Sequence, residues 1–146
     1  MPDLIKRNSL TGEWEAHTRP EPTISWLPGE QWTAGESLLL QNADEPQPAH
    51  AQASAIAVNF PGLNDGLGLS LGVLLRTRIQ FTGELRAVGE VHADALHHMA
   101  RCGFDAFEIS PSADLHRALR LIAPFSNHYQ NSMSNPAPSY RRVQSR

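Results

Sequence analysis

Blocks of apolar and amphipathic sequence alternate along the chain, most clearly from about residue 56 to residue 130. Short apolar runs bounded by turn residues predict buried strands at 37–41, 56–60, 85–89 and 104–109. Apolar positions at helical spacing predict helices at about 47–52, 65–79 and 91–101, and a last helix capped by Ser112 and ended by Pro124. A further short strand is predicted at 129–132. Strands joined by helical connections of this length run parallel, with right-handed crossovers.

The predicted fold class is therefore α/β, with alternating strand–helix units and a mainly parallel sheet. Two architectures fit this order of elements: an open doubly wound sheet, or a half-barrel like four units of a TIM barrel. The sequence contains no clear internal repeat, so duplication does not decide between them.

The helix that starts near Asp65 has the clearest apolar periodicity. Four leucines fall at i, i+4, i+7 and i+8 along it, namely Leu67, Leu71, Leu74 and Leu75. Because these positions share one side of a helix, we expect all four leucines to pack on the sheet. In the helix at 91–101, Gly103 follows the last apolar position and is expected to provide the C-cap.

Residues 1–36 lack this regular pattern, and prolines interrupt them. We predict a strand or hairpin near 4–6 and 14–16, and we expect three tryptophans, Trp14, Trp26 and Trp32, to pack the segment onto the main body. The predicted organisation is an irregular N-terminal segment at 1–36, an α/β domain at 37–132 and a flexible tail at 133–146.

Composition limits the classes of function. The 146-residue chain has a formal net charge of −3, so nothing in its overall charge attracts nucleic acid or anionic membrane. It has one cysteine, Cys102, and no apolar run of membrane-spanning length, so we expect a cytoplasmic protein without a disulfide. Since one thiol cannot hold an iron–sulfur cluster or a structural zinc, no cofactor is expected from cysteine content.

Candidate site residues follow from the rule that ligands bind at the carboxyl ends of parallel strands. The candidates for acid–base or charge-bearing roles are Asp65, Arg86, Glu90, Asp94 and Glu108. The candidates for ligand binding are Asn59, Gly66, Gly68, Ser70 and Arg86. A guanidinium inside a strand needs a charged partner, so Arg86 is expected to pair with Glu84 or Glu108.

The glycine-rich loop at 61–70 joins a predicted strand to a helix and allows two interpretations. Backbone amides at a helix N-terminus can bind an anion. The spacing of the glycines, however, misses the dinucleotide fingerprint by one residue, and no Gly-Lys-Ser/Thr follows. The alternative is tight packing of the helix on the sheet, with Asp65 as N-cap.

His98 and Cys102 are four residues apart, as are Asp94 and His98, which is ligand-like spacing on a helix. Solvent-facing histidines and a buried, inert thiol are the preferred interpretation, so no metal site is predicted.

Several segments resemble an uncharacterised bacterial family whose members are usually labelled "oxidoreductase probably involved in sulfite reduction". The segments that carry the resemblance are 56–61, 65–70, 74–76, 83–91, Asp94 and 101–107. The positions that match the family pattern are Asp65, Gly66, Gly68, Ser70, Arg76, Glu84, Arg86, Gly89, Asp94, Arg101 and Gly103. The chain departs from that pattern at Leu67 and Leu69, where the family usually has arginine and tyrosine, and at Ala95, where it usually has glutamine.

The resemblance implies a role in assimilatory sulfite reduction. That reaction needs electrons delivered through a metal or flavin cofactor, for which this sequence offers no binding motif. We therefore expect an accessory protein that binds sulfite reductase or its electron donor. Two alternatives stay open: a small-molecule enzyme with an anion site in loop 61–70, Arg86 as clamp and Asp65 or Glu90 as acid–base group, and a non-catalytic scaffold that forms a homodimer through a sheet edge.

Overall fold

The computed structural model describes residues 2–18, 23–62, 65–110 and 113–122. Its strands are β1 (Asp3–Arg7), β2 (Trp14–His17), β3 (Leu27–Pro28), β4 (Ser37–Gln41), β5 (Ala55–Phe60), β6 (Glu84–Gly89) and β7 (Ala106–Ile109). Its α-helices are α1 (Gly66–Thr77), α2 (Leu96–Arg101) and α3 (Leu115–Ile122), and short 3-10 helices cover Pro48–Gln52 and Ala93–Ala95.

The described strands form one open sheet in the order β2-β1-β7-β6-β5-β4-β3. Strands β3 to β7 are parallel and lie side by side in chain order. The prediction of an α/β fold with a mainly parallel sheet is confirmed. Because the order of the parallel strands never reverses, this part of the sheet has no topological switch point of the doubly wound kind.

The N-terminal segment contributes to the same sheet. Strands β1 and β2 form the predicted hairpin, and β1 also pairs antiparallel with β7, which places Ile5 opposite Phe107. β1 is therefore an internal strand, and its Leu4 and Ile5 side chains are buried. The division of the chain at residue 36 stays a prediction.

One face of the sheet carries the main core, because inward-facing side chains alternate with residues of the other face along each strand. Ile5, Val58, Leu85 and Phe107 are fully buried there beneath the helices. Trp14 adds to this face, with its ring 5.6 Å from that of Phe107.

The predicted packing face of α1 is partly wrong. Leu71 and Leu75 are buried as expected, but Leu67 is 59% exposed and Leu74 is 37% exposed. The buried face instead includes Gly68 and Gly72. A Cβ atom at Gly72 would lie 2.4 Å from the Phe104 ring, so the helix uses its glycines to approach the core aromatics closely.

The helix at 91–101 is shorter than predicted. It consists of one 3-10 turn followed by α2, and Gly103 ends it with a φ of 107°, as expected of a C-cap glycine. The predicted cap Ser112, the stop at Pro124, the strand at 129–132 and the tail at 133–146 lie outside the described residues. At the start of α3, Asp114 Oδ1 accepts a hydrogen bond of 3.0 Å from the backbone N–H of Arg117.

The other two tryptophans also pack on the body, as predicted. The guanidinium of Arg86 lies 5.2 Å from the centre of the Trp26 ring, on the face of the sheet opposite the main core. Trp32 meets His50 edge to face at 5.7 Å and donates through its indole N–H to Glu36 O.

Candidate site at the carboxyl edge of the sheet

A cavity of about 760 Å³ opens at the carboxyl ends of β6 and β7. It is lined by Pro2, Gly89, Glu90, Val91, His92, Ala93, Asp94, Glu108, Ile109, Ser110, Ala113, Asp114 and Arg117. Three of the predicted acid–base candidates, Glu90, Asp94 and Glu108, therefore share this cavity. Glu90 is held at its rim because its backbone N–H donates to Phe60 O at 2.8 Å.

Carboxylates dominate the charge around the cavity. Glu90 Oε2 lies 3.2 Å from His92 Nε2, and Asp94 Oδ1 accepts a hydrogen bond of 3.1 Å from Arg117. The backbone N–H of Arg117 lowers the pKa of the Asp114 carboxyl, which keeps that group ionised. The lining contains four carboxylates and one guanidinium, that of Arg117, so its net charge is negative and disfavours an anion.

Arg86 lies beneath the cavity on the face that Trp26 covers. Its guanidinium donates to Glu84 Oε1 from Nε at 2.8 Å and from Nη2 at 2.5 Å, and to Glu108 Oε1 at 2.9 Å. The prediction that Arg86 pairs with these two glutamates is confirmed. With its side chain 7% exposed and its donors engaged, Arg86 holds Glu108 in place rather than presenting a free clamp.

Lys6 joins this group by donating to Glu84 Oε2. Burial raises the pKa of Glu84, but the hydrogen bond from Lys6 and the charge of Arg86 outweigh that effect, so the pKa lies below its ordinary value. Two cations and two carboxylates thus neutralise one another across β1, β6 and β7.

Asp65 organises the described part of the glycine-rich loop at the start of α1. Its Oδ1 accepts from the backbone N–H of Leu67 and from Asn42 Nδ2, each at 3.2 Å, so the carboxylate caps α1 as predicted. A Cβ atom at Gly68 would lie 2.7 Å from Phe60 and 2.9 Å from Asp65 Oδ2. The capping carboxylate occupies the place where an anion would bind, so this geometry favours the packing interpretation of the glycines.

The remaining ligand-binding candidates do not line the cavity. Asn59 Nδ2 donates to Gln41 Oε1 at 2.9 Å, while Gly66 and Ser70 are exposed on the first turns of α1. The position of Asn59 also helps to explain why residue 89 is a glycine. Gly89 has a φ of 90°, in the left-handed region. A Cβ atom there would lie 2.5 Å from both Asn59 Oδ1 and Phe60 O. The structure therefore divides the predicted site residues into a cavity group and a group around the N-terminus of α1.

Comparison with known proteins identifies the family of the chain. A family model described as "Bacterial protein of unknown function (DUF934)" matches residues 38–140. The chain belongs to DUF934. No curated protein and no solved structure matches it. The matched range includes every residue lining the cavity except Pro2.

The DUF934 chain brings to the cavity residues that sequence reasoning did not select: Pro2, His92, Asp114 and Arg117. Asp114 and Arg117 belong to the start of α3, which packs against α2 and the preceding 3-10 helix. Asp114 directly before the apolar positions of α3 is a preferred N-cap residue, and this signal was present in the sequence. Pro2 arrives only because β1 pairs with β7, which no local pattern predicts.

Arg76, which matches the family pattern, lies at the amino edge of the sheet, away from the cavity. Its guanidinium donates to the carbonyls of Phe81, Gly83 and Gly103 and pairs with Asp105 at 3.2 Å. Burial raises the pKa of Asp105 despite a hydrogen bond from the Leu85 N–H. These contacts give Arg76 a structural role.

Cys102 also fits its predicted inert role, because burial raises the pKa of its thiol. Among the described residues, no cluster of three histidine, cysteine or acidic side chains is arranged to hold a metal ion. Within the same part of the chain, no helix has the length and apolar character needed to cross a membrane.

Proposed function

We propose that this DUF934 protein is an accessory protein of assimilatory sulfite reduction, acting in the cytoplasm by contact with sulfite reductase or its electron donor. Membership of a bacterial family of unknown function is compatible with this role, and the resemblance of segments 56–61 and 83–91 to proteins labelled for sulfite reduction supports it.

One structural observation favours assistance over direct catalysis on sulfite. Sulfite is an anion, whereas the cavity at the carboxyl edge is lined by Glu90, Asp94, Glu108 and Asp114. The buried cation beside it, Arg86, is already paired with Glu84 and Glu108. A protein partner that presents cationic groups would meet favourable charges at the same surface.

The first test is genetic. A strain lacking the gene should grow poorly with sulfate as its sulfur source and normally with cysteine, because only sulfate must pass through sulfite. Co-purification of the tagged chain with sulfite reductase or its donor should accompany that phenotype. Normal growth of the deletion strain on sulfate would contradict the proposal.

A second test locates the contact. Glu90→Lys reverses the charge of a side chain at the cavity rim that is 61% exposed, so the variant should fold normally. Expressed in the deletion strain, it should fail to restore growth on sulfate. Glu30→Lys is the matched control, because Glu30 is exposed in the turn after β3 and does not line the cavity. Equal restoration by the two variants would place the contact elsewhere.

A second candidate is a small-molecule enzyme, favoured by the convergence of three predicted acid–base carboxylates on one cavity. The volume of this cavity falls in the range of small-molecule sites. A screen of small cationic metabolites by melting temperature should then find a stabilising compound whose effect is lost in Asp94→Asn. An anion that stabilises Asp94→Asn as well as the wild-type chain would instead favour a site at the backbone amides of the loop at 61–70.

A further inference from the structure

The two edges of the sheet differ in how well they are protected against pairing with another chain. At one edge, β3 is only two residues long and ends in Pro28, which has no N–H to donate. At the other edge, β2 runs over Trp14–His17 without proline or lysine. Strand β2 is twice as long as β3 and contains neither proline nor lysine, so it is the less protected of the two edges.

The register of the hairpin shows which backbone groups of β2 are available. The N–H of Asn8 donates to Glu13 O, and Lys6 and Leu4 lie opposite Glu15 and His17. Hydrogen-bonded pairs alternate along antiparallel strands, so the backbone groups of Glu15 and His17 face β1. Those of Trp14 and Ala16 point outward, and no hydrogen bond from the described residues engages them.

The pairing of β1 with β7 supports this assignment of inward and outward backbone groups. The N–H of Arg7 donates to Asp105 O, which extends the register that pairs β1 with β7. Odd-numbered residues of β1 therefore bond to β7 and even-numbered residues bond to β2. The outward orientation of Trp14 and Ala16 follows from the arrangement of three consecutive strands, not from one contact.

We infer that β2 pairs antiparallel with β2 of a second copy of this chain, about a twofold axis at Ala16, to form a homodimer. This arrangement joins two sheets edge to edge, and the outward N–H of Ala16 in each copy donates to the C=O of Ala16 in the other copy. The proposal is independent of the role in sulfite reduction.

The pairing of Glu15 with His17 favours this register, because it gives each carboxylate an imidazole partner instead of a second carboxylate. With Ala16 opposite Ala16, Glu15 lies opposite His17 of the second copy in a non-hydrogen-bonded pair, where side chains approach most closely. Sliding each strand by one residue would place Glu15 opposite Glu15, or His17 opposite His17. The side chains of Glu15 and His17 are 46% and 47% exposed, so both can be reached by the second copy.

Charge reversal tests the register. Sedimentation of the full chain up to about 100 µM, where small interfaces become populated, should reveal a dimer. Glu15→Lys removes the carboxylate that meets His17 at both ends of the interface, and His17→Glu places two carboxylates opposite one another twice. Each single variant should therefore weaken association about tenfold. The double variant E15K/H17E again places opposite charges across the interface, with their positions exchanged, and should restore the dimer.

A cross-link tests the axis directly. In a Cys102→Ser background, Ala16→Cys should oxidise to a disulfide-linked dimer, because residues directly opposite on paired strands meet the Cα distance that a disulfide needs. Leu10→Cys at the hairpin tip, where the side chain is 94% exposed, is the accessible control and should cross-link poorly. Circular dichroism confirms folding of each variant.

Three outcomes would overturn the proposal. The wild-type chain could be a monomer at every concentration. The dimer could persist unchanged in both single charge variants, which would assign it to another surface. Cross-linking of Leu10→Cys could match that of Ala16→Cys, which would indicate random collision.

Discussion

At the scale of single residues, Arg86 best illustrates how this molecule handles charge. Its guanidinium is buried, and it is tolerated there because Glu84 and Glu108 accept its hydrogen bonds and the Trp26 ring covers it. The exposed pair of Arg117 and Asp94 has similar chemistry but remains in solvent, with the Arg117 side chain 56% exposed. The burial of each ion pair, and not the pairing alone, should decide how much each arginine contributes to the free energy of unfolding.

Arg86→Met should lower the free energy of unfolding by about 3 kcal/mol, because it leaves the Glu108 carboxylate without its cation and leaves Glu84 with Lys6 alone. Arg117→Met, the matched control, should cost less than about 1 kcal/mol, since exposed ion pairs contribute little. Urea unfolding monitored by tryptophan fluorescence gives both values. Similar losses in the two variants would mean that burial of the Arg86 pair has no special weight.

His50 predicts a dependence of stability on pH. Its Nδ1 accepts from the backbone N–H of Gln47, and burial lowers its pKa more than the nearby Asp44 raises it. The unfolded chain therefore binds a proton more readily than the folded chain. The contribution of His50 to stability is complete above its unfolded pKa of 6.5 and is lost as the pH falls below that value.

His50→Asn keeps an acceptor for the Gln47 N–H but cannot titrate. The variant should be less stable at neutral pH, because the contact with Trp32 is reduced, yet its stability should fall less between about pH 7 and about pH 5. Unfolding free energies of both proteins across this range check the difference. An identical decline in the variant would assign the dependence to other histidines.

At the scale of elements, α1 shows that helix spacing identifies a helix more reliably than it identifies the buried face. Both Leu67 and Leu71 fit the apolar stripe, but the helix packs through Gly68 and Gly72 because the rings of Phe60 and Phe104 occupy the space above them. Apolar periodicity counts side chains, whereas packing also depends on where a side chain is missing.

Gly72→Ala should therefore destabilise the protein by about 1–3 kcal/mol, despite the better helix propensity of alanine, because the added methyl group overlaps Phe104. Gly66→Ala is the control, since a Cβ atom there meets nothing within 4 Å. Thermal unfolding should show a lower melting temperature for the first variant only. Equal melting temperatures would mean that Phe104 moves aside without cost.

At the scale of the whole molecule, the position of β1 determines how the sheet and the cavity are completed. The strand pairs with both β2 and β7, buries Leu4 and Ile5, and brings Pro2 to the cavity. The N-terminal segment thus completes the sheet beside the last parallel strand. Residues far apart in sequence meet here, so this contact depends on the folded chain as a whole.

Deletion of residues 2–17 should abolish cooperative unfolding, because it removes the buried β1 side chains and uncovers the edge of β7. Leu10→Ser at the exposed hairpin tip should change stability by less than about 0.5 kcal/mol. Denaturant titration of the two proteins checks both expectations. A stable, cooperative truncated chain would instead support a separate domain starting near residue 37.

Local sequence was sufficient to predict the α/β class, the strands at 37–41, 56–60 and 85–89, the glycine cap at 103 and the pairing of Arg86 with glutamates. These features depend on local periodicity, on backbone conformation or on the cost of burying a charge, all of which can be read from neighbouring residues. Within the candidate site, the same reasoning identified Glu90, Asp94 and Glu108 because the ends of parallel strands share one edge.

Local sequence did not show which side of α1 is buried or that β1 lies beside β7, and the folded structure does. The structure also shows that Asp65 and Asn59 do not line the cavity, whereas Asp114 and Arg117 do. The physical reason is that these contacts join segments distant along the chain. Their partners are chosen by the space and charge left after the sheet has assembled, and no local pattern of residues contains that information.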